Sequence, residues 1–598
     1  MSGLPLYDHA LRLLRESPDG LPPRRGHTLP RPSEAGPPPP ALSREDAAAA
    51  VRSALDPLPP DSATLHRRFA ELGVRDRHRT LIRRVVAELP LPDERRDAAR
   101  SLGRRLARTG TAVPPVIAGL ALLARVGDPE DVPCLAALGA LREVRAPAVQ
   151  ALEAIDPRRA AVLTLSHDDR PELRPLVTAL SRDDRTDVLA RLEVLPTAAD
   201  FIDGATAHRI AQATGLLDLL RQHPTRTALL GQAGRLLVRM VSSHDGSTEF
   251  LAQGDSPALY ETVVTRAGLL PPTLDHHATL LSLALDLSSG TGVLLDRPAG
   301  RRAALLASLG RLLAEPRWAA AADAGPDDDP RRRMRARWIR RTGRRPFLLP
   351  AATGRLRIEV VAGDPVDREP IETRVLVDGR PLVAAVFPHG PAHRPEFLLE
   401  NGSLRAGPQP HDVQLAEAAC TEGCCGALSV TIRREGDQVV WENWRRPPLP
   451  GLGRSTPPLP AERFDAAAYD AEIARAEADR SWSWPALELA RLIREGLTAR
   501  PEPLRRWDMD RGWISTAPQD PDTVEVHLWY TPGLGSGAPD GHPLVLRWSV
   551  PDDGTSPESQ AEAALRRLAE EDPRAYTQVS GGTRERAEEL GFTWPYNT

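Results

Sequence analysis

Between about residues 41 and 320, apolar positions recur at helical spacing in a succession of short segments. The clearest stretch is PPVIAGLALLARVGDPEDVPCLAALGALREVRAPAVQALEAID, residues 114–156. Val116, Leu120 and Leu123 share one helical face. Val132, Leu135, Leu138 and Leu141 share a second, and Ala148, Leu152 and Ile155 a third. Polar turn sequences such as GDPED, IDPRR, HDDRPE and SRDDRTD separate the segments. Asp128 is placed to cap a helix and Pro129 to sit in its first turn. β-Branched residues do not alternate across 41–320, which disfavours strands. A helix pair with one apolar stripe cannot bury it alone, so this pattern predicts stacked helical hairpins.

After residue 345 the period changes to two. RLRIEVV (355–361) alternates, ETRVLVDGRPLVAAVF (372–387) predicts a hairpin about a DG turn, and GALSVTIRREGDQVVWENW (426–444) predicts a second hairpin. Helices are expected over 462–478 and 485–498. Strands VEVHLWYT (524–531) and PLVLRWSV (543–550) follow, joined by GLGSGAPDG, and helices over 557–571 and 583–590 close the sequence. The expected fold class is multidomain: an N-terminal all-α solenoid, then an α+β domain with mainly antiparallel strands. The expected divisions are a Pro-rich disordered tail (1–40), the solenoid (41–320), an acidic and arginine-rich linker helix (321–345) and an antiparallel β module with a cysteine cluster (346–445). A Pro-rich linker (446–460) and a Trp-rich α+β module packing with the β module (461–598) complete it.

The stretch 114–156 resembles a HEAT repeat. GDPEDVPCLAALG matches that family's Gly-Asp-Pro turn, acidic residue and Val-Pro helix start, and the likeness extends more loosely over 41–320. The resemblance implies an α-solenoid whose concave face binds another macromolecule. The C-terminal half resembles no characterised family.

Composition narrows the function classes. The 598 residues carry a formal net charge of −4, so no global field favours nucleic acid or membrane. Lysine is absent, which argues against P-loop, Schiff-base and protein-kinase chemistry. With its abundant Ala, Leu, Pro, Gly and Arg, the sequence reads as high-GC bacterial coding. No apolar run reaches the roughly 18 residues of a membrane span, and the N-terminal residues lack the pattern of a signal peptide. Four cysteines make no secreted disulfide framework, so a cytoplasmic location is expected.

Three features carry candidate chemistry. CTEGCCG places Cys420, Cys424 and Cys425 together; with His389 and His393, or His411, they offer a zinc site, against the plainer reading of small thiols packed under a turn. Residues 331–345 hold nine arginines and no acid, and 301–345 hold 13 arginines against 5 acids. On a helix, Arg333, Arg337, Arg340 and Arg344 line one side and suit phosphate or nucleic acid. Nine of the eleven tryptophans follow residue 440 and read mainly as core. GLGSG is followed by a strand, so it reads as a hairpin loop rather than a dinucleotide fingerprint. His276 and His277 read as helix-surface residues. No catalytic set emerges and no cofactor is expected beyond zinc. The expected function is a non-enzymatic protein–protein interaction scaffold or adaptor with a solenoid groove and another protein as partner. The alternatives are a nucleic-acid or phosphate binder through 301–345, and a metalloprotein or enzyme through the cysteine cluster.

Overall fold

The structure is a computed structural model. It describes residues 4–17, 19–29, 42–59, 61–242, 248–323, 325, 328–344, 354–387, 389–418, 426–447, 457–517 and 519–595. Helices occupy the first 340 or so residues, and three small antiparallel sheets with further helices occupy the rest, so the all-α then α+β order holds. The chain divides into two compact units: residues 1–240 with 258–263, and residues 241–257 with 264–598. The acidic stretch at 321–330, expected as a boundary, therefore lies inside the second unit.

In the first unit, successive helices pack on one another. Asp93–Thr109 packs on Val113–Val126, that helix on Arg145–Ile155, that on Pro157–Ser166, and that on Gly204–Thr214. Val113–Val126 is apolar nearly all round and correspondingly buried. It crosses Asp93–Thr109 where glycines face each other: a Cβ on Gly119 would lie 2.6 Å from Leu106 Cβ and 2.9 Å from the Gly103 carbonyl. Short acidic and hydroxyl side chains cap many of the starts, with Asp61 accepting from Thr64 N–H at 2.7 Å and Asp203 from Thr206 N–H at 2.7 Å.

The GDPED turn closes as its sequence implies. Asp128 accepts from Glu130 N–H, and Asp131 accepts in return from Asp128 N–H. Arg104 from the preceding helix then bonds Asp131 at 2.7 Å and Asp128 at 2.6 Å. The Asp131 side chain is 1% exposed, so this fork neutralises a carboxylate with almost no access to water.

The N-terminal segment departs from the expected tail. Leu6–Glu16 is a helix whose Leu6 and Ala10 join the core. Residues 19–29 form a strap over the following helices. Arg174 grips Asp19 with two 2.8 Å bonds, His27 N–H donates to Ala140 O, and Arg142 N–H donates to His27 O. Pro and Gly density excludes helix here, but not an extended path whose backbone groups bond elsewhere. Residues 30–41 lie outside the described residues.

In the second unit the sheets are β1–β2–β3, β4–β5–β6–β7 and β11–β10–β9–β8, with every neighbouring pair antiparallel. The strands are β1 (Leu356–Ala362), β2 (Ile371–Val377), β3 (Arg380–Pro381), β4 (His411–Glu417), β5 (Ala427–Glu435) and β6 (Gln438–Arg445). The remainder are β7 (Glu462–Asp465), β8 (Met509–Ala517), β9 (Asp520–Tyr530), β10 (Leu544–Pro551) and β11 (Gln578–Gly581). The DG turn exists, with Asp378 and Gly379 both at positive φ, but the returning strand stops at Pro381 and Leu382–Val386 is helical. Pro381 has no N–H for the ladder, and the two alanines after it favour helix. One apolar core runs from Leu356 to Ala587, so the regions on either side of the Pro-rich connector share it. Trp441, Trp482, Trp484 and Trp548 are buried in it, whereas Trp529 is exposed.

Candidate interaction surface

Four helices of the first unit frame an open polar furrow of about 550 Å³. Arg83 comes from Arg79–Glu88; Arg145, Gln150 and Glu153 from Arg145–Ile155; and Arg209 from Gly204–Thr214. Thr164, His167 and Asp168 from the end of Pro157–Ser166 complete the wall. Arg83 donates to the Gln150 side-chain oxygen at 3.0 Å. Arg145 and Arg209 have no hydrogen-bonded partner among the described residues and remain available to an incoming acceptor.

His167 anchors one side of the furrow. Its Nε2 lies 2.9 Å from Gly139 O, and because a carbonyl only accepts, Nε2 carries the proton. Nδ1 is then a buried acceptor without a partner among the described residues. Burial, reinforced by the positive charge of Arg145, pushes the imidazole pKa down to about 4, so the ring is neutral at pH 7. A Cβ on Gly26 of the strap would stand 3.1 Å from the ring and 3.0 Å from Ala140 O; Gly26 has φ +78°, so glycine suits both the close pass and the backbone. Burial alone would raise the Asp168 carboxyl, but hydrogen bonds and charge from Arg170 outweigh it and hold it below its ordinary range. Arg170 is fixed in turn on Phe201 O and Thr206 Oγ1.

The arginine-rich segment forms the helix Pro330–Thr342, packed by Ala336, Trp338 and Ile339 against Leu274, Ala278 and Leu281. Arg335, which the one-sided reading left out, is its most enclosed arginine: Nε bonds Asp364 at 2.8 Å, Nη1 bonds Asp275 at 2.8 Å, and Asp367 lies at 3.6 Å. Burial alone would lower the guanidinium pKa, but these three carboxylates outweigh it and raise it. Trp338 donates to Ala362 O at 3.0 Å. Of the four candidate anion contacts, Arg333 donates to Asp328 O, Arg337 pairs with Asp522 at 2.5 Å, and Arg340 donates to Ala322 O at 3.1 Å. Arg344 is exposed and has no partner among the described residues.

Cys420, Cys424 and Cys425 lie outside the described residues, in the connection between β4 and β5. Among the described residues no group of three or more His, Cys, Asp or Glu is placed to hold a metal. His393 Nε2 lies 3.0 Å from the Gln414 amide nitrogen, and His411 Nε2 lies 2.9 Å from Ser403 O. The His389 ring packs edge-on to Phe387. Cys134 is a free, buried thiol whose pKa burial raises to about 11, an inert environment for sulfur.

Sequence reading missed two buried polar clusters. His277 is buried, not on a helix surface: its Nδ1 lies 2.9 Å from Trp318 O and its ring meets Trp318 edge-on. Glu396, 7% exposed, accepts from the hydroxyl of Ser515, which is fully buried and accepts from Arg394 at 2.7 Å. Burial would raise the Glu396 pKa, but the charges of Arg394 and Arg494 and the Ser515 hydrogen bond pull it down. With its proton and a lone pair engaged, the Ser515 hydroxyl ties the 394–400 turn to β8. No periodicity marks such residues, because their partners lie far along the sequence: 41 positions for His277 and Trp318, and 119 for Glu396 and Ser515.

The chain matches no protein-family model, no curated protein and no solved structure. Among the described residues no helix is long and apolar enough to cross a membrane.

Proposed function

We propose that this protein is a non-enzymatic interaction scaffold whose N-terminal helical stack, a HEAT-like α-solenoid, binds another protein along one side of its helices. The furrow carries this reading. It is open and polar, it draws on four helices rather than one loop, and it presents Arg145 and Arg209 without hydrogen-bonded partners among the described residues. Such a surface suits acidic side chains of a protein partner through arginine–carboxylate forks. Arg333 and Arg337 bond oxygens of the chain itself, which makes them less available to nucleic-acid phosphates.

Affinity capture of the full chain from its own cells tests this, compared with an Arg145→Glu/Arg209→Glu variant. The wild type is expected to retain a defined protein that the variant loses by at least about tenfold, the effect of removing one or two charge-assisted bonds. Equal retention by both, with the variant folded, would remove the furrow from the account.

A further inference from the structure

The second unit contains a groove that the scaffold reading does not use. It has a volume of about 710 Å³ and lies among Leu274–Ser289, Arg301–Leu313, Pro316–Ala321 and Pro330–Thr342. The size falls within the range of small-molecule sites. Its floor is apolar and buried, with Leu281, Leu306 and Ile339 each 2% exposed or less. Arg311, Arg340 and Arg344, all exposed, stand on its rim against one acid, Asp323. Among the described residues Arg311 and Arg344 have no hydrogen-bonded or ion-paired partner and Arg340 bonds only Ala322 O.

A second observation comes from Gly310, in the last turn of Arg301–Leu313 and on the groove wall. Its φ is not positive, and an added Cβ would meet no atom within 4 Å. Neither backbone conformation nor packing requires glycine there. Glycine in a helix interior is unfavourable by about 1 kcal/mol relative to alanine, so its presence is explained by neither local need. What its missing side chain does provide is clearance in the groove. His277 also lines the groove; Trp318 O can only accept, so its Nδ1 carries the proton and the other ring nitrogen is left as an acceptor.

We propose that this groove binds a single-chain anionic amphiphile. The apolar floor would take the chain, and Arg311, Arg340 and Arg344 would hold a carboxylate or phosphate head. Charge and polarity together select this class: the cationic rim disfavours neutral lipids, and the buried floor disfavours small hydrophilic anions.

Isothermal titration calorimetry of the full chain with decanoate, decyl phosphate and decanol tests it, with acetate as a chain-free control. At least one decyl anion is expected to bind at least tenfold more tightly than decanol and acetate; the stronger of the two identifies the head group. Gly310→Trp fills the groove where there is room for a side chain, and Arg311→Glu/Arg344→Glu reverses the rim. Each is expected to weaken the anion at least tenfold, with an unchanged circular dichroism spectrum confirming the fold. Failure of both anions to bind, equal binding of decanol, or unaltered binding by folded Gly310→Trp would overturn the proposal.

Discussion

At the scale of single residues, the sharpest constraints are steric and electrostatic. Gly119 faces Leu106 and Gly103 too closely for a Cβ, so Gly119→Ala is expected to destabilise the chain by about 1–3 kcal/mol, seen as a lower midpoint in urea. Gly310→Ala should do the opposite and raise stability by about 0.5–1 kcal/mol, because its position is open and helical. Arg335 neutralises a carboxylate, Asp364, that is 2% exposed. Removing one partner of a buried pair leaves a charge without compensation, so Arg335→Ala is expected to lose about 3–5 kcal/mol. Arg344→Ala, at an exposed and unpaired position, should change stability by under about 0.5 kcal/mol. His167 gives the pH dependence. Its folded pKa, about 4, lies below the unfolded value, so the unfolded chain binds the proton first as pH falls. Stability is thus expected to decline from about pH 6.5 down to about pH 4, and His167→Gln should flatten that part of the profile in denaturant titrations.

At the scale of elements, the strap over residues 19–29 is held by side-chain forks and a few backbone bonds rather than by a large apolar face. Segments of that kind open locally at low free-energy cost. Asp19→Asn removes the charge that Arg174 grips and is expected to speed hydrogen exchange at the His27 and Arg142 amides, leaving those of Val113–Val126 unchanged. Legibility in the sequence followed the length of the pattern. The helices of 114–156 and the strands β5, β9 and β10 were readable because several apolar residues repeat at a fixed period. Strands β4, β7, β8 and β11 were not: HDVQLAE and MDRGWISTA carry polar residues and glycine, and take their conformation from neighbouring strands. The run after the DG turn read as a strand because periodicity alone does not separate a short apolar helix from a strand.

At the scale of the whole molecule, the order of an all-α part and an α+β part was legible, because the change of period from 3.6 to 2 is a property of the entire sequence. The division into compact units was not. Trp338, Ile339 and Arg335 bind the arginine-rich helix into the second unit through contacts that no local composition announces. The furrow was legible only as a general expectation of stacked helices. Arg83, Arg145 and Arg209 are three arginines among many until the fold brings them to one place.

The central claim is that this furrow holds a protein partner. Because the chain has no lysine, the furrow offers no side-chain amine to an amine-directed cross-linker. A photoreactive phenylalanine analogue at Ala146, which is exposed on the furrow wall, can do so in the native cell. The same substitution at Asp97, whose side chain is 92% exposed on another helix, serves as the control. A discrete protein adduct from position 146 and none from position 97 is the expected result. No adduct at 146, or the same adducts from both positions, would contradict it.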